Sequence, residues 1–179
     1  MSPSSPLQTK ILNQVRVIHD FPKPGIAFRD ITTLLHDPVL CKEILTALAD
    51  ELRGKVDAIA GIESRGFLFG FPLAIELGVP FVMIRKAGKL PADTIAHSYS
   101  LEYGEATIEV HSDAISTGDR VHIHDDLLAT GGTAAAAAVL IEKMGAEVSG
   151  FSFLLGLDDL NGVEKLTSAS RNIAILARC

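Results

Sequence analysis

VHIHDDLLATGGT, residues 121–133, joins an alternating apolar segment to a short glycine-containing turn. The alternation predicts a strand over 121–124, and the residues after the turn predict a helix over 133–144 that Gly145 closes. A strand, a glycine-rich turn and a helix in this order are typical of a unit of an α/β sheet. The stretch therefore predicts a ligand site beyond the carboxyl end of a strand.

The histidines of this stretch raise the possibility of a metal site. On a strand, His122, His124 and Asp126 point to one face, and Val121 and Ile123 point to the other with Asp125. However, a lone His-x-His is weak evidence, because the chain has neither a His-Glu-x-x-His nor a paired Cys-x-x-Cys signature. We therefore favour the interpretation that His122 and His124 pack against a helix or lie at a subunit contact.

The glycines favour a phosphate site. Gly131 and Gly132 let backbone N–H groups approach an anion, hydroxyls flank them, and the helix N-terminus adds partial positive charge. The predicted loop for a monophosphate comprises Ala129, Thr130, Gly131, Gly132 and Thr133. The preceding Asp125 and Asp126 would repel a phosphate but could accept hydrogen bonds from a vicinal diol such as a ribose. Neither a Walker motif nor Gly-x-Gly-x-x-Gly is present.

Composition excludes several classes of protein. The chain has 179 residues, a formal net charge of −6 and no run of more than two lysines or arginines, so nucleic acid and anionic membranes are not expected partners. Cys41 and Cys179 make no disulfide framework, and the first ten residues have no apolar signal-peptide core, which predicts a reduced, cytoplasmic protein. The apolar stretch 66–84 is interrupted by prolines, a glycine and a glutamate, so we read it as a buried helix and strand.

The rest of the chain predicts alternating strands and helices around a mostly parallel sheet. Helices are expected over 11–18, from Asp37-Pro38 to about 53, and over 67–77. Further strands are expected over 57–62, 80–85, 106–110, 147–155 and 172–176, and 88–103 is interpreted as a polar, turn-rich segment.

Five blocks, in order, resemble type I phosphoribosyltransferases, and adenine phosphoribosyltransferases in particular. DDLLATGGT is similar to the family's motif for phosphoribosyl pyrophosphate, and the others are FPKPGIAFRDIT, GIESRGFLFG, IRKAGKLP and SYSLEYGEATIEV. The resemblance implies a single domain over 1–179, with a mostly parallel sheet flanked by helices, an N-terminal hood within 1–35 and a flexible lid loop. It also implies a homodimer that makes AMP and pyrophosphate from adenine and phosphoribosyl pyrophosphate.

The resemblance also assigns roles to residues. Asp125, Asp126 and the loop 129–133 would bind the ribose and its 5-phosphate, and Mg²⁺ would be held mainly by the sugar diphosphate rather than by a protein-only site. Pyrophosphate would be bound by Glu63, Ser64, Arg65, Arg85, Lys86 and Lys89, with a cis peptide bond at Glu63-Ser64.

Adenine recognition and catalysis are assigned to the hood and the lid. Ala27 and Phe28 would bind the base together with Arg65, and the lid over 91–105 would carry Tyr103 and the general base Glu102. His122, His124, Glu63 and Phe71 depart from the family's usual residues. Two alternatives stay open: transfer to hypoxanthine, guanine or xanthine, and a non-catalytic sensor of purines or phosphoribosyl pyrophosphate.

Overall fold

A central sheet positions the site. The computed structural model describes residues 5–100 and 104–179, and within them seven strands form one sheet in the order β5-β6-β4-β3-β7-β8-β9. Its strands are β3 (Ala58–Ile62), β4 (Phe81–Lys86), β5 (Thr94–Ser100), β6 (Glu105–His111), β7 (Arg120–Leu128), β8 (Glu147–Gly156) and β9 (Ile173–Arg178). β3, β4, β7, β8 and β9 are parallel, whereas β5 and β6 form an antiparallel hairpin at one edge.

Helices cover both faces of the sheet. They are α1 (Pro6–Gln14), α2 (Pro38–Leu52), α3 (Gly66–Leu77), α4 (Gly132–Lys143) and α5 (Gly162–Leu166). α1, α2 and α3 pack on one face through residues such as Ile44 and Phe69, and α4 and α5 pack on the other. α2 begins where the Asp37 side chain accepts hydrogen bonds from the amides of Val39 and Leu40, both at 3.0 Å.

The N-terminal segment forms a small sheet of its own. β1 (Arg16–His19) and β2 (Ala27–Asp30) pair as an antiparallel hairpin, and a 3₁₀ turn (Ile31–His36) leads from it into α2. The Asp30 carboxyl receives two hydrogen bonds from Arg16 and caps the turn at Thr32. This hairpin is the predicted hood.

Most predicted elements are confirmed, with three differences. The helix expected over 11–18 ends at Gln14, because Arg16–His19 pairs with β2 instead. The segment 88–103 is not only turns, since Thr94–Ser100 pairs with β6. β7 continues to Leu128, so Asp125 and Asp126 lie inside the strand rather than after it. No helix of the described residues is long and apolar enough to cross a membrane.

The two histidines of β7 lie in the core under α3. His122 and His124 are 1% and 0% exposed, and His124 Nδ1 lies 2.9 Å from the Ser152 hydroxyl of β8. His122 pairs with Ile59 of β3, whose side chain belongs to the cluster on the α3 face. Burial lowers the pKa of His122 to about 3 and that of His124 to about 4, so both rings are neutral at pH 7.

We predict that these histidines destabilise the fold in acid. Their pKa values are lower in the folded than in the unfolded chain, so stability is complete above about pH 6.5 and is lost as the pH falls toward 4. Between pH 7.5 and 5 each histidine should remove roughly 1–2 kcal/mol from the free energy of unfolding. Urea denaturation of the double variant His122→Val, His124→Val should show a shallower pH dependence than the wild type.

The matched control is His36→Gln, which removes an exposed imidazole and should keep the wild-type slope. An equal slope in the double variant and the wild type would contradict the prediction.

Candidate active site

The site is a cavity at the carboxyl ends of β3, β4 and β7. Its volume is about 650 Å³, and an adjoining recess of about 80 Å³ lies within the loop that follows β7. The cavity brings together eight of the predicted residues: Glu63, Ser64, Arg65, Arg85, Lys86, Asp125, Asp126 and Thr133. The recess is lined by Asp125 and all five predicted loop residues, 129–133. The sequence segments that resemble separate family motifs therefore share one pocket.

Two neighbouring carboxylates line this cavity, the half-buried Asp125 and the buried Asp126. Burial raises the pKa of Asp125 well above its usual value, and the neighbouring charge of Asp126 raises it further. Burial also raises the pKa of Asp126, against the opposing effect of Arg65, whose Nε lies 2.8 Å from Asp126 Oδ2. A site that raises the pKa of two carboxyl groups favours ligands that donate hydrogen bonds or carry positive charge.

The loop after β7 leaves its amides available to a ligand. Gly131, with φ of 75°, precedes α4, and no side chain caps this helix. Gly162 supports the loop from behind, since a Cβ added at Gly131 would lie 2.5 Å from the Gly162 carbonyl oxygen. Uncapped amides at a helix N-terminus, with the hydroxyls of Thr130 and Thr133 beside them, make an anion site.

The loop after β3 makes a second uncapped helix start. The Glu63–Ser64 peptide bond is cis, as predicted, and α3 begins at Gly66 without a side-chain cap. A Cβ at Gly66 would lie 2.8 Å from the His124 carbonyl oxygen, so only glycine allows this close packing of α3 on β7. The two helix N-termini consequently face the same cavity.

The Glu63 side chain is occupied by its own chain. Its carboxylate accepts hydrogen bonds from Arg85 Nε at 3.2 Å, Arg85 Nη2 at 3.3 Å and the Lys86 amide at 3.0 Å. Burial raises the pKa of Glu63, but these hydrogen bonds outweigh it and hold the pKa below its usual value. Arg85 Nη1 also donates to the Lys89 carbonyl at 2.9 Å. Glu63 therefore tethers Arg85 to the loop after β3.

The basic residues at and after the end of β4 divide into two groups. Arg85 and Lys86 line the cavity, whereas the exposed Lys89 side chain does not. The turn that carries Lys89 is held by Glu109, a buried residue of β6 that accepts the Lys89 and Leu90 amides, both at 2.9 Å. The sequence did not indicate Glu109, because strand alternation would have placed it on a solvated face.

The hood meets the cavity through an aromatic residue. The Arg65 guanidinium lies 5.1 Å from the Phe28 ring centroid, and Phe21 packs edge-on against Phe28 at 5.2 Å. Arg65 thus contacts Asp126 on one side and Phe28 on the other. Ala27 is exposed on β2 and does not line the cavity.

The structure adds Tyr99 to the site. Tyr99 of β5 lines the cavity, and its hydroxyl lies 3.0 Å from Thr133 Oγ1. The alternation of Ile95, His97 and Tyr99 before Gly104 would have indicated this strand. Glu102 and Tyr103 lie outside the described residues.

Comparison with known proteins assigns the chain to a family. The model of the phosphoribosyl transferase domain matches residues 31–164. An adenine phosphoribosyltransferase of Cytophaga hutchinsonii is 53% identical over 161 residues, which are 89% of this chain and 89% of that protein. The chain belongs to the adenine phosphoribosyltransferase family. The predicted family, its transferase class and its α/β fold are therefore confirmed.

Solved structures of this family have the same fold. The crystal structure of adenine phosphoribosyltransferase from Thermoanaerobacter pseudethanolicus has a TM-score of 0.91 at 48% identity, covering 96% of this chain and 99% of that one. The Trypanosoma brucei enzyme, in complex with AMP, pyrophosphate and ribose 5-phosphate, has a TM-score of 0.89 at 29% identity, covering 99% and 82%.

We predict that Arg65 offsets the cost of the buried Asp126 charge. Arg65→Met should lower the free energy of unfolding at pH 7.5 by about 1–2 kcal/mol, less than the ~3–5 kcal/mol of a fully buried pair because 34% of the Arg65 side chain is exposed. Without Arg65 the pKa of Asp126 rises further. Protonation of Asp126 then removes the uncompensated charge, so the difference in free energy of unfolding between the variant and the wild type should be smaller at pH 5 than at pH 7.5. Urea denaturation at the two pH values measures both effects.

Arg53→Met is the control, since it removes an exposed ion pair with Glu76 at 2.7 Å and should have a smaller effect at both pH values. A loss for Arg65→Met that is the same at pH 5 and 7.5 would argue against this role.

Proposed function

We propose that this protein converts adenine and 5-phosphoribosyl pyrophosphate into AMP and pyrophosphate, as a cytoplasmic enzyme of purine salvage in which residues 1–179 act as one domain. The observation that carries the proposal is the meeting, in one cavity, of two neighbouring carboxylates, Asp125 and Asp126, with the start of α3 and the first turn of α4. A phosphorylated sugar with a pyrophosphate group has hydroxyls for the first and anions for the second.

The sugar and its 5-phosphate fit the end of β7. Asp125 and Asp126 accept hydrogen bonds from the ribose hydroxyls, and the recess formed by residues 129–133 takes the phosphate. The geometry supports this order, because the carboxylates lie on the strand and the uncapped amides lie one loop further on. The phosphate is thereby kept away from the carboxylates, which would repel it.

Pyrophosphate fits between the loop after β3 and the basic residues at the end of β4. The Ser64 and Arg65 segment supplies the start of α3, and Lys86 supplies a cation on the cavity wall. Glu63 acts through Arg85 rather than through direct contact with an anion, since its carboxylate already holds that guanidinium. Lys89 reaches the leaving group only if the ligand or a second subunit extends the site.

Adenine fits against the hood. Phe28 offers a ring face next to the Arg65 guanidinium, and the backbone near Ala27 offers both a donor and an acceptor to the edge of a purine. A planar, aromatic base can stack on the Phe28 ring in place of the Arg65 guanidinium.

In the reaction the bond between C1 of the ribose and pyrophosphate breaks, and a bond between C1 and the imidazole nitrogen of adenine forms. We assign the proton from that nitrogen to the Glu102 carboxylate, by resemblance to the family, and Tyr103 to the lid. Tyr99 and Ala106, which flank this segment in the sequence, both line the cavity. Cations around the departing pyrophosphate stabilise its developing charge.

Mg²⁺ fits this site as a companion of the substrate. Its oxygen preference matches Asp125 and Asp126, and among the described residues no three His, Cys, Asp or Glu side chains come together as a metal-binding group. When bound, Mg²⁺ would neutralise part of the charge of the sugar diphosphate. His122 and His124 take no part, because both lie in the core below the cavity.

Incubation with phosphoribosyl pyrophosphate, Mg²⁺ and each purine in turn tests the proposal. We expect AMP and pyrophosphate from adenine, at a kcat/KM at least 100-fold above that for hypoxanthine, guanine or xanthine. A site that pairs with the edge of one base leaves polar groups unpaired with another, which costs about 10²-fold or more. Product identity is measured by chromatography.

If only another purine gives a nucleotide, that purine rather than adenine is the substrate. If no purine gives a nucleotide, the result favours the non-catalytic sensor. The double variant His122→Val, His124→Val serves as the control for metal binding. It should remain dependent on added Mg²⁺, and loss of that dependence would restore the metal interpretation of the histidines.

The exposed face of α3 supports a homodimer. Leu68, Phe71 and Ile75 recur at helical spacing and are 40%, 53% and 64% exposed, and Met83 of β4 is 41% exposed. An apolar face of this kind on a helix marks an interaction surface. Met83 lies two residues before Arg85, so a second copy seated on this face would border the pyrophosphate site. The resemblance to the family implies that basic residues can act across a dimer interface, and this position fits such an action.

We predict that Phe71→Asp with Ile75→Asp converts the dimer into a monomer, because burying two carboxylates at the contact is costly. Sedimentation velocity should show the mass near 19.1 kDa rather than twice that value. Val39→Asp is the matched control, since Val39 is 68% exposed on α2, away from this face, and should stay dimeric. Dimers in all variants would exclude this face as the interface.

A further inference from the structure

Tyr99 and Thr133 form a contact that none of the assigned roles explains. The Tyr99 hydroxyl lies 3.0 Å from Thr133 Oγ1, across 34 residues of sequence. Thr133 is in the first turn of α4 and lines both the cavity and the phosphate recess. Tyr99 is on β5, and its ring packs against the core cluster on the α4 face. The pair joins the hairpin to the loop that we assign to the 5-phosphate.

The proton count of the pair favours one direction. A threonine hydroxyl has a single proton, so it cannot donate to tyrosine and to a phosphate oxygen at the same time. If Tyr99 donates to Thr133 Oγ1, the threonine proton is free to point into the recess. Hydrogen bonds in such a chain also polarise and strengthen one another.

A second contact between α4 and β5 fixes the position of Tyr99. Lys143, in the last turn of α4, lies 3.4 Å from the Ala96 carbonyl oxygen and 3.3 Å from His97 Nδ1. β5 therefore contacts both ends of α4, and Tyr99 is held at the end where the phosphate recess lies.

We propose that Tyr99 is a positioning residue for the 5-phosphate, which orients the Thr133 hydroxyl by donating a hydrogen bond to it. The proposal rests on the function proposed above. Tyr99 contacts the threonine rather than the ligand, so its loss weakens phosphate binding only through Thr133. Binding of phosphate and the position of the hairpin are consequently coupled through one hydrogen bond.

The test measures the affinity of ribose 5-phosphate by isothermal titration calorimetry. Tyr99→Phe keeps the ring and removes the hydroxyl, and we expect it to raise Kd about three- to tenfold, as the loss of one hydrogen bond does. In turnover it should raise KM for phosphoribosyl pyrophosphate by a similar factor and leave KM for adenine within about twofold. Thr133→Val should weaken binding at least as much, and Tyr99→Phe should add nothing in that background.

Two controls separate this role from packing. Ser98→Ala removes a neighbouring hydroxyl that bonds within the hairpin, to Thr107 Oγ1 at 2.8 Å, and should leave Kd unchanged. Thr133→Ser keeps the acceptor, so it should bind within about twofold of wild type and stay sensitive to Tyr99→Phe. An additive effect of Tyr99→Phe in the Thr133→Val background would mean that Tyr99 acts by packing, and would overturn the proposal.

Other results also decide. Equal binding by wild type and Tyr99→Phe would overturn the positioning role alone, and tighter binding by Tyr99→Phe would show that the tyrosine competes with phosphate. Failure of the wild type to bind ribose 5-phosphate would overturn both this proposal and the phosphate site of the proposed function.

Discussion

The ion pair between Arg65 and Asp126 joins the two loops on which the site depends. Arg65 precedes α3 and Asp126 lies near the end of β7, and their side chains meet at 2.8 Å with Asp126 almost wholly buried. β3 and β7 are parallel neighbours, so their carboxyl ends lie side by side and the helices that follow them start at the same edge of the sheet. Without a cation at this point, the buried carboxylates would oppose the close approach of α3 to β7.

The electrostatics of the cavity then follow from which charges are already paired. Asp126 has Arg65 and Glu63 has Arg85, whereas Lys86 lines the cavity free of such a pair in the contacts described. Asp125, half-buried beside Asp126, has its pKa raised by desolvation and by that neighbour. A ligand that brings hydroxyls to the carboxylates and negative charge to the helix starts relieves both sets of groups at once. This complementarity links the geometry to a phosphorylated sugar rather than to a simple anion.

The sequence predicted the parts of the fold that repeat a local pattern. The helices that start near Pro38, Gly66 and Gly132 and the buried parallel strands have periodicities that short windows detect. The hairpin strands β1 and β5 were missed. β1 has only four residues and depends on its pairing with β2, and the alternation of Ile95, His97 and Tyr99 in β5 lies within a polar segment that we interpreted as turns. Resemblance to family motifs identified most of the cavity residues. The roles of Tyr99 and Glu109 could not be predicted in this way, because they depend on where the hairpin lies relative to α4 and β4.

Position along β7 decides what its polar residues do. His122, His124 and Asp126 point to the same face of the sheet, yet the histidines are under α3 and the aspartate is beyond its first residue. Under the helix, a titratable ring is desolvated and stays neutral, and Nδ1 of His124 lies 2.9 Å from the Ser152 hydroxyl. One alternation further, Asp126 reaches both Arg65 and the cavity. On this face of β7, polar residues that α3 covers are therefore part of the core, whereas Asp126, which lies beyond the first residue of α3, is available to a ligand.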